Sequence, residues 1–295
     1  MPTETVYGLA ADATSNKAVA EIYAVKERPA FNPLIVHVLD VDSAGEYGTF
    51  GHQAERLARA FWPGPLTLVL PVAPTCGISL LARAGLDTAA LRSPSNSTAR
   101  ALIAKAGVPL AAPSANRSGR VSPTTAGHVR ADFEGRIDWI LDGGPSRLGL
   151  ESTIIGCVGN PPMLLRPGAL TREAIEAELG SRLAFGKPAV SAPNAPGQLA
   201  SHYAPRAELR LGAQDAGADE AALDFAGALS STPSPMRLDL SPSGDLVEAA
   251  ANLFSYLRAL DGSGARRIAV APIPDGGIGA AINDRLRRGA APRSM

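Results

Sequence analysis

Leu110-Ala111-Ala112-Pro113-Ser114-Ala115-Asn116 reads as a short buried strand that stops at a proline and presents a hydroxyl and an amide just beyond its end. Open α/β sheets hold ligands at the carboxyl ends of their strands, so this one segment suggests both an architecture and a place to look for chemistry. Outward from it, short apolar runs alternate with amphipathic segments as far as about residue 176, the pattern of an α/β or α+β domain. Strands are expected over Leu34–Val38, Leu66–Leu70, Ala89–Arg92, Leu110–Ala112, Trp139–Asp142, Ser152–Val158 and Met163–Arg166. Helices are expected to begin near Ser15, His52, Ser97, Thr124 and Thr171. The first is well marked: Ser15 can cap it, Ala18, Val19, Ile22 and Tyr23 form its apolar face, and Pro29 prevents its extension, leaving Lys26 and Arg28 at its C-terminal end.

Between Gly186 and Pro205 the composition turns rich in proline and glycine, which suits a linker rather than an element. A second, smaller α/β unit follows, with strands expected over Glu208–Leu211 and Arg267–Ala271 and helices over Gly244–Leu260 and from about Gly279 to Arg288.

The chain has 295 residues, 45% hydrophobic and 19% charged, which excludes wholesale disorder and leaves room for more than one core. Lys plus Arg and Asp plus Glu each total 28, so no global basic field drives non-specific nucleic-acid binding. Cys76 and Cys157 lie far apart, and His37, His52, His128 and His202 make no ligand cluster with them, so neither a disulfide framework nor a bound metal is indicated. No apolar run reaches the roughly 20 residues that span a bilayer. A soluble, cytoplasmic protein is expected.

Chemistry gathers near the start. Pro2-Thr3-Glu4-Thr5-Val6-Tyr7-Gly8-Leu9 precedes Lys26-Glu27-Arg28-Pro29 and Asn32-Pro33-Leu34-Ile35-Val36-His37, a set of hydroxyls, cations, an amide and an imidazole that suits a small anionic substrate. Lys26 and Arg28, joined by Ser114 and Asn116, would make a phosphate cradle, the arginine offering a planar fork and the lysine a point charge. Taken alone, the two cations fit a solvated helix end equally well. Other positions also carry plain readings: Thr5 and Ser152 as backbone bridges, His37 as a hydrogen-bonded core histidine facing opposite to Val36, Arg166 as a loop anchor, Tyr203 as a docked aromatic.

In order along the chain, PTETVYGL, KERP, NPLIVH, WPGPLT, LDT, APSAN, ESTII and LLRPG resemble the threonylcarbamoyl-AMP synthases of the YrdC family. His202-Tyr203-Ala204-Pro205 and Gly277-Ile278-Gly279-Ala280-Ala281-Ile282-Asn283-Asp284-Arg285 resemble the linker and extra domain of its longer type. The resemblance implies a YrdC-like twisted open sheet over residues 1–185, a linker and active-site lid over 186–205, and a small Rossmann-like α/β domain over 206–295. It also implies a helix and a strand, on the order of 25 residues, ahead of Pro2; their lack here is expected to leave Thr5 on a frayed terminus.

The implied reaction turns L-threonine, bicarbonate or CO2 and ATP into threonylcarbamoyl-AMP and pyrophosphate, a nucleotidyl transfer in which positioning and charge stabilisation outweigh covalent catalysis. By resemblance, threonine lies against Thr5, His37, Arg92, Ala112 and Ser152. ATP lies against Arg28, Asn32, Thr88, Ser114, Ser122, Arg166 and Tyr203. Lys26, Arg28, Ser114 and Asn116 form a catalytic tetrad. Mg²⁺ accompanies ATP without dedicated protein ligands, and the product passes to a tRNA threonylcarbamoyltransferase complex for t6A modification, with weak tRNA binding in view. The non-enzymatic alternative is a double-stranded RNA or tRNA-binding module. A carbamoyl-transfer role in hydrogenase maturation belongs to larger chains with acylphosphatase and zinc-finger segments, which this sequence lacks.

Overall fold

The structure, a computed structural model, describes residues 1–185 and 202–292. Its first unit runs β1 (Ala11–Asp12), α1 (Asn16–Lys26), β2 (Ile35–His37), α2 (Val41–Gly45), α3 (His52–Phe61), β3 (Leu66–Pro71), β4 (Thr88–Arg92), α4 (Ser97–Ala106), β5 (Leu110–Ala111), α5 (Ala126–Phe133), β6 (Thr153–Gly156), β7 (Met163–Arg166), α6 (Arg172–Leu179) and β8 (Ala184–Phe185). The strands form one mixed sheet in the order β1-β5-β2-β4-β3-β6-β7-β8. The second unit runs β9 (Glu208–Leu211), β10 (Ala221–Asp224), β11 (Arg237–Asp239), α7 (Leu246–Gly262), β12 (Arg267–Val270) and α8 (Gly279–Ala290), with a fully parallel sheet ordered β11-β10-β12-β9. No helix among the described residues is long and apolar enough to cross a membrane.

The two faces of the large sheet have different fates. Val36, Leu68, Leu91, Ala111 and Ile155 point to one side, where α1, α3 and α6 bury them under Val19, Ile22, Leu57, Ile175 and Leu179. Their strand neighbours Ile35, Val69, Ala90 and Ile154 point the other way and make only a small apolar group. On that second face His37 sits in parallel register with Arg92, and the alternation of the pleat puts both side chains beside Ile35 and Ala90. Ser15 caps α1 by accepting from Ala18 N, as its sequence suggests, and Glu27 ends it in the left-handed region at φ 55°.

Some expectations fail for physical reasons. Trp139–Asp142 is not a strand: Trp139 is 89% exposed, and the segment's end is tied instead to Tyr7, whose hydroxyl meets Asp142 Oδ1, Gly143 N and Gly144 O. β-forming side chains without a neighbouring strand to pair do not make a strand. Conversely, β10 carries Ala221 and Ala222, weak strand formers, and was not anticipated; complete burial between two parallel neighbours decides it. β11 was missed with it, as were the short α2, β1 and β8. The strand expected over Ser152–Val158 narrows to Thr153–Gly156, and the helix expected near Thr124 begins at Ala126 under a Thr125 cap. Thr5 is not frayed: it is fully buried, with Thr3 Oγ1 2.8 Å from its hydroxyl. The expected linker lies largely outside the described residues, which resume at His202.

The second unit docks on the first through a shared core. Val6, Val121 and Leu150 join Tyr203, Leu253, Phe254 and Leu257 in one buried cluster. Arg258 of α7 pairs with Asp132 at 2.6 Å and donates to the carbonyls of Val121 and Ser122. Closest of all is Gly149, at φ +66°, where a Cβ would stand 2.6 Å from the Ala250 carbonyl oxygen and also meet Ala251. Gly149→Ala is therefore expected to destabilise the protein by about 3 kcal/mol, combining left-handed strain with overpacking. Gly144→Ala, at φ +74° with open space around it, is expected to cost only about 1 kcal/mol. Urea unfolding of the two variants checks the difference.

Candidate active site

A cavity opens on the helix-free face of the large sheet. One wall is built on Arg92 at the end of β4, buried at 3% exposure. Its Nε donates to Gly64 O at 3.2 Å, Nη1 to Thr5 Oγ1 at 2.8 Å and Nη2 to Glu4 Oε1 at 2.6 Å. Glu4 is anchored in turn by Ser95 N on its other oxygen. The guanidinium is thus locked through all three nitrogens, each Nη keeping one further hydrogen, and Arg92 lines the cavity with Thr5, His37, Ala112 and Ser152. Ser152 Oγ is 2.7 Å from Thr67 Oγ1.

Two more cations line the same cavity. Arg28 donates to the carbonyls of Asn32 and Pro33, and Arg166 to Ser152 O at 2.8 Å and Ser152 Oγ at 3.2 Å; both line the cavity with Ser114 and Tyr203. Arg166 is therefore a loop anchor and a cavity residue at once. Lys26 is not a solvated helix end: at 1% exposure it lies behind the cavity wall, its Nζ donating to the carbonyls of Ser114, at 2.5 Å, and Asn116. These bonds join the end of α1 to the loop after β5, which sequence spacing alone could not bring together.

Other proposed residues stand back from the cavity. Asn116 holds its own loop through Arg117 O and Arg120 O. Asn32 is buried, and neither polar atom of its amide has a partner among the described residues. Ser122 donates to Glu151 Oε1 at 2.5 Å. Thr88 sits at the far end of β4, about 13 Å from Arg92 at strand rise, and lines a separate cavity of about 330 Å³ with Val69, Gly156 and Leu165. Among the described residues no group of three or more His, Cys, Asp or Glu forms a metal site.

Glu4, Glu151, His202 and Arg285, in or behind the cavity wall, were not singled out from sequence. Glu4 and Glu151 lie inside quoted motifs, His202 begins the linker motif, and Arg285 ends the tail motif. An acidic residue in a site for anions looks misplaced until its arginine partner is seen: Glu4 with Arg92, Glu151 with Arg285 at 2.8 Å.

Burial and crowding of cations depress the basic groups here. Lys26 is held well below its ordinary range by burial and then by Arg28, and Arg28 is lowered to about 10, mainly by burial. His37 is lowered to about 3 by burial and then by Arg92. His202 lies well below its ordinary value, first by burial and then by Arg28, Lys26, Arg166 and Arg285. Both imidazoles are neutral at neutral pH. The phenol of Tyr203 is pushed up, chiefly by burial.

Residues 1–168 match the Sua5_yciO_yrdC family model, described as Telomere recombination, and residues 170–291 match the Sua5_C model, described as Threonylcarbamoyl-AMP synthase, C-terminal domain. A threonylcarbamoyl-AMP synthase of Bacillus subtilis (strain 168) is 40% identical over 99% of this chain and 89% of its own length. The chain belongs to the threonylcarbamoyl-AMP synthase family. Another member, from Pyrococcus abyssi (strain GE5 / Orsay), is 41% identical over 99% of this chain and 90% of its own. The crystal structure of P. abyssi Sua5 complexed with L-threonine superposes with a TM-score of 0.89 at 38% identity, covering 98% of this chain and 89% of that one.

This family member should lose stability in mild acid. His37 and His202 titrate far below the ordinary 6.5, and burial with the Arg258 cation lowers His128 to about 4. Below pH 6.5 the unfolded chain binds protons at these rings that the folded chain refuses. Stability is therefore intact above that pH and falls as pH drops toward about 4, by about 1.4 kcal/mol per pH unit for each histidine. Urea unfolding at several pH values is expected to show this slope, and His37→Gln to reduce it by one proton's worth.

Proposed function

We propose that this protein makes L-threonylcarbamoyl-AMP and pyrophosphate from L-threonine, bicarbonate or CO2 and ATP. The observation that supports it is one cavity with two poles for negative charge. Arg92 forms one pole. Arg28, which donates to the carbonyl oxygens of Asn32 and Pro33, forms the other together with Arg166, and Lys26 lies buried behind that wall. A buried guanidinium held by carbonyl oxygens and the Tyr23 phenol, with no carboxylate among the described residues, is costly until an anion arrives.

In this reading the remaining Nη hydrogens of Arg92 take the threonine carboxylate, with Thr5, His37, Ala112 and Ser152 around the rest of the amino acid. Because His37 is neutral, it adds no charge that would repel a protonated amine. Once the amine has given its ammonium proton to solvent, carboxylation forms an N–C bond, releasing one further proton when CO2 is the source and a water molecule when bicarbonate is. A carbamate oxygen then attacks the α-phosphorus, and the new O–P bond forms as the bond to the pyrophosphate oxygen breaks. Lys26, Arg28 and Arg166 offset charge building on the phosphates, while Ser114 and Asn116 order the loop that faces them. Tyr203 lines the cavity beside them, with Asn32 and Ser122 behind its wall, while Thr88, in a separate cavity, takes no part in this reading.

Glu151, the carboxylate on the cavity wall, is engaged by Ser122 and Arg285. Mg²⁺ would therefore arrive on the phosphates and water rather than on dedicated protein ligands. The product would pass to a tRNA threonylcarbamoyltransferase complex.

Mass spectrometry of the protein with ATP, Mg²⁺, L-threonine and bicarbonate is expected to show threonylcarbamoyl-AMP without RNA; tRNA binding with no product would favour the RNA-binding alternative. Lys26→Ala is expected to cut turnover at least 10²-fold, about the loss seen when one charge-stabilising donor is removed. Among amino acids, serine should be used appreciably, since losing a methyl costs about 1 to 3 kcal/mol. Valine and 2-aminobutyrate, which lack the hydroxyl, should be rejected by about 10⁴-fold. Equal turnover of 2-aminobutyrate would overturn the assignment of a hydroxyl-reading pocket.

A further inference from the structure

Thr3 and Thr5 share a turn on the cavity wall, and the direction of every hydrogen bond around their hydroxyls can be assigned. Both residues are buried, Thr3 at 2% exposure and Thr5 at 0%. Thr3 Oγ1 lies 2.6 Å from the carbonyl oxygen of Val6, which can only accept, so the single hydrogen of the Thr3 hydroxyl goes there. The backbone N–H groups of Thr5 and Val6 point back at Thr3 Oγ1 at 3.2 Å each, as in the turns that threonine side chains form. The two hydroxyl oxygens stand 2.8 Å apart. With its own hydrogen on Val6, Thr3 accepts in that contact and Thr5 donates.

Arg92 settles the rest of Thr5. A guanidinium has no acceptor, and Arg92 Nη1 is 2.8 Å from Thr5 Oγ1, so one lone pair of Thr5 is taken by Arg92. The Thr5 hydroxyl therefore has its hydrogen on Thr3, one lone pair on Arg92 and one lone pair left. It lines the cavity as an acceptor and not as a donor. Arg92 is its complement, since the remaining hydrogen on each Nη can only donate. This end of the cavity thus offers donors to an anionic oxygen and, next to them, a lone pair that repels one.

We infer that Thr3 is a positioning residue for the amino-acid end of the cavity: by holding the Thr5 hydroxyl hydrogen it fixes Thr5 as an acceptor, which takes an N–H or O–H of the ligand and leaves the ligand's carboxylate to Arg92. The ligand class that satisfies both groups is a carboxylate with a hydrogen donor on a neighbouring carbon. A carboxylate without such a donor satisfies Arg92 and meets the lone pair of Thr5. The inference rests on the proposed function in one respect, that L-threonine is the amino acid bound here.

The test is calorimetry of the full chain with L-threonine and, separately, with the magnesium complex of β,γ-imido-ATP. Thr3→Val keeps the shape, removes the acceptor and frees the Thr5 hydrogen to face the ligand's own hydrogen. It is expected to weaken L-threonine about tenfold, the effect of one mismatched hydrogen bond, and to leave the analogue within about twofold. Thr3→Ser, which keeps the hydroxyl, is expected to bind L-threonine within about threefold of wild type. Because Thr3 acts through Thr5, Thr5→Val should lose at least as much L-threonine affinity as Thr3→Val. The Thr3→Val/Thr5→Val double variant should be no weaker than Thr5→Val alone. Turnover of L-threonine against 2-aminobutyrate then tells which hydrogen Thr5 takes: Thr3→Val narrows the preference if it is the hydroxyl's and preserves it if it is the amine's, and both results agree with a fixed acceptor.

A Thr3 hydroxyl that merely holds the turn predicts that the two losses add. Additive losses overturn the inference, as does a Thr3→Val protein with unchanged L-threonine affinity or one that loses L-threonine and the analogue alike. If Thr3→Val does not fold, Thr5→Val decides, because it leaves the Thr3–Val6 bond in place: loss of L-threonine alone supports the inference, and unchanged affinity overturns it. Wild-type protein that binds no L-threonine overturns the proposed function, and the inference with it.

Discussion

The pleat of β2 and β4 is the constraint on which the site depends. Helices cover only one face of the large sheet, so Val36 and Leu91 go into the core while their neighbours His37 and Arg92 stand on a face without helices. Parallel pairing puts those two side chains in register. A slip by one residue would bury Arg92 under α1 and α3 and expose leucine to the cavity, so the core and the site enforce the same register.

Charge is handled in a consistent way throughout this face. Each cation is oriented by oxygens that do not belong to a substrate: carbonyls for Lys26 and Arg28, a carbonyl, a hydroxyl and Glu4 for Arg92. Holding a donor by some of its hydrogens fixes its direction and leaves the others for a ligand, at the cost of desolvating a charge. That cost appears as the depressed basicity of Lys26 and Arg28, and it is met by the packing of two units rather than by either alone.

The C-terminal unit is part of this structure in a direct sense. Gly149 leaves no room for a side chain between the loop before β6 and α7, and Arg258 ties the carbonyls of Val121 and Ser122. Glu151 follows this loop closely in sequence, so its position is inherited from the docking of α7 and α8. Tyr203, at φ 61°, is held between Phe254 and Arg285, and its unfavourable backbone conformation is sustained by that packing.

By itself the sequence determined the element pattern where local signals agree: the Ser15-capped first helix, the strands β3, β4, β7 and β9, and the polar residues at strand ends. It also determined the family, because its motifs occur in order along the chain, and with it the residues to examine. Only the tertiary structure decided that Trp139–Asp142 stays irregular and that Ala221–Asp224 becomes a strand, since pairing partners, not propensity, settle both. Only it decided which proposed residues share one cavity and that Thr88 lies apart from them. The acidic partners Glu4 and Glu151 and the distant Arg285 were illegible beforehand for the same reason. A carboxylate's effect on a site depends on which cation it touches, and Glu151 and Arg285 are brought to 2.8 Å by the docking of two units, not by any spacing along the chain.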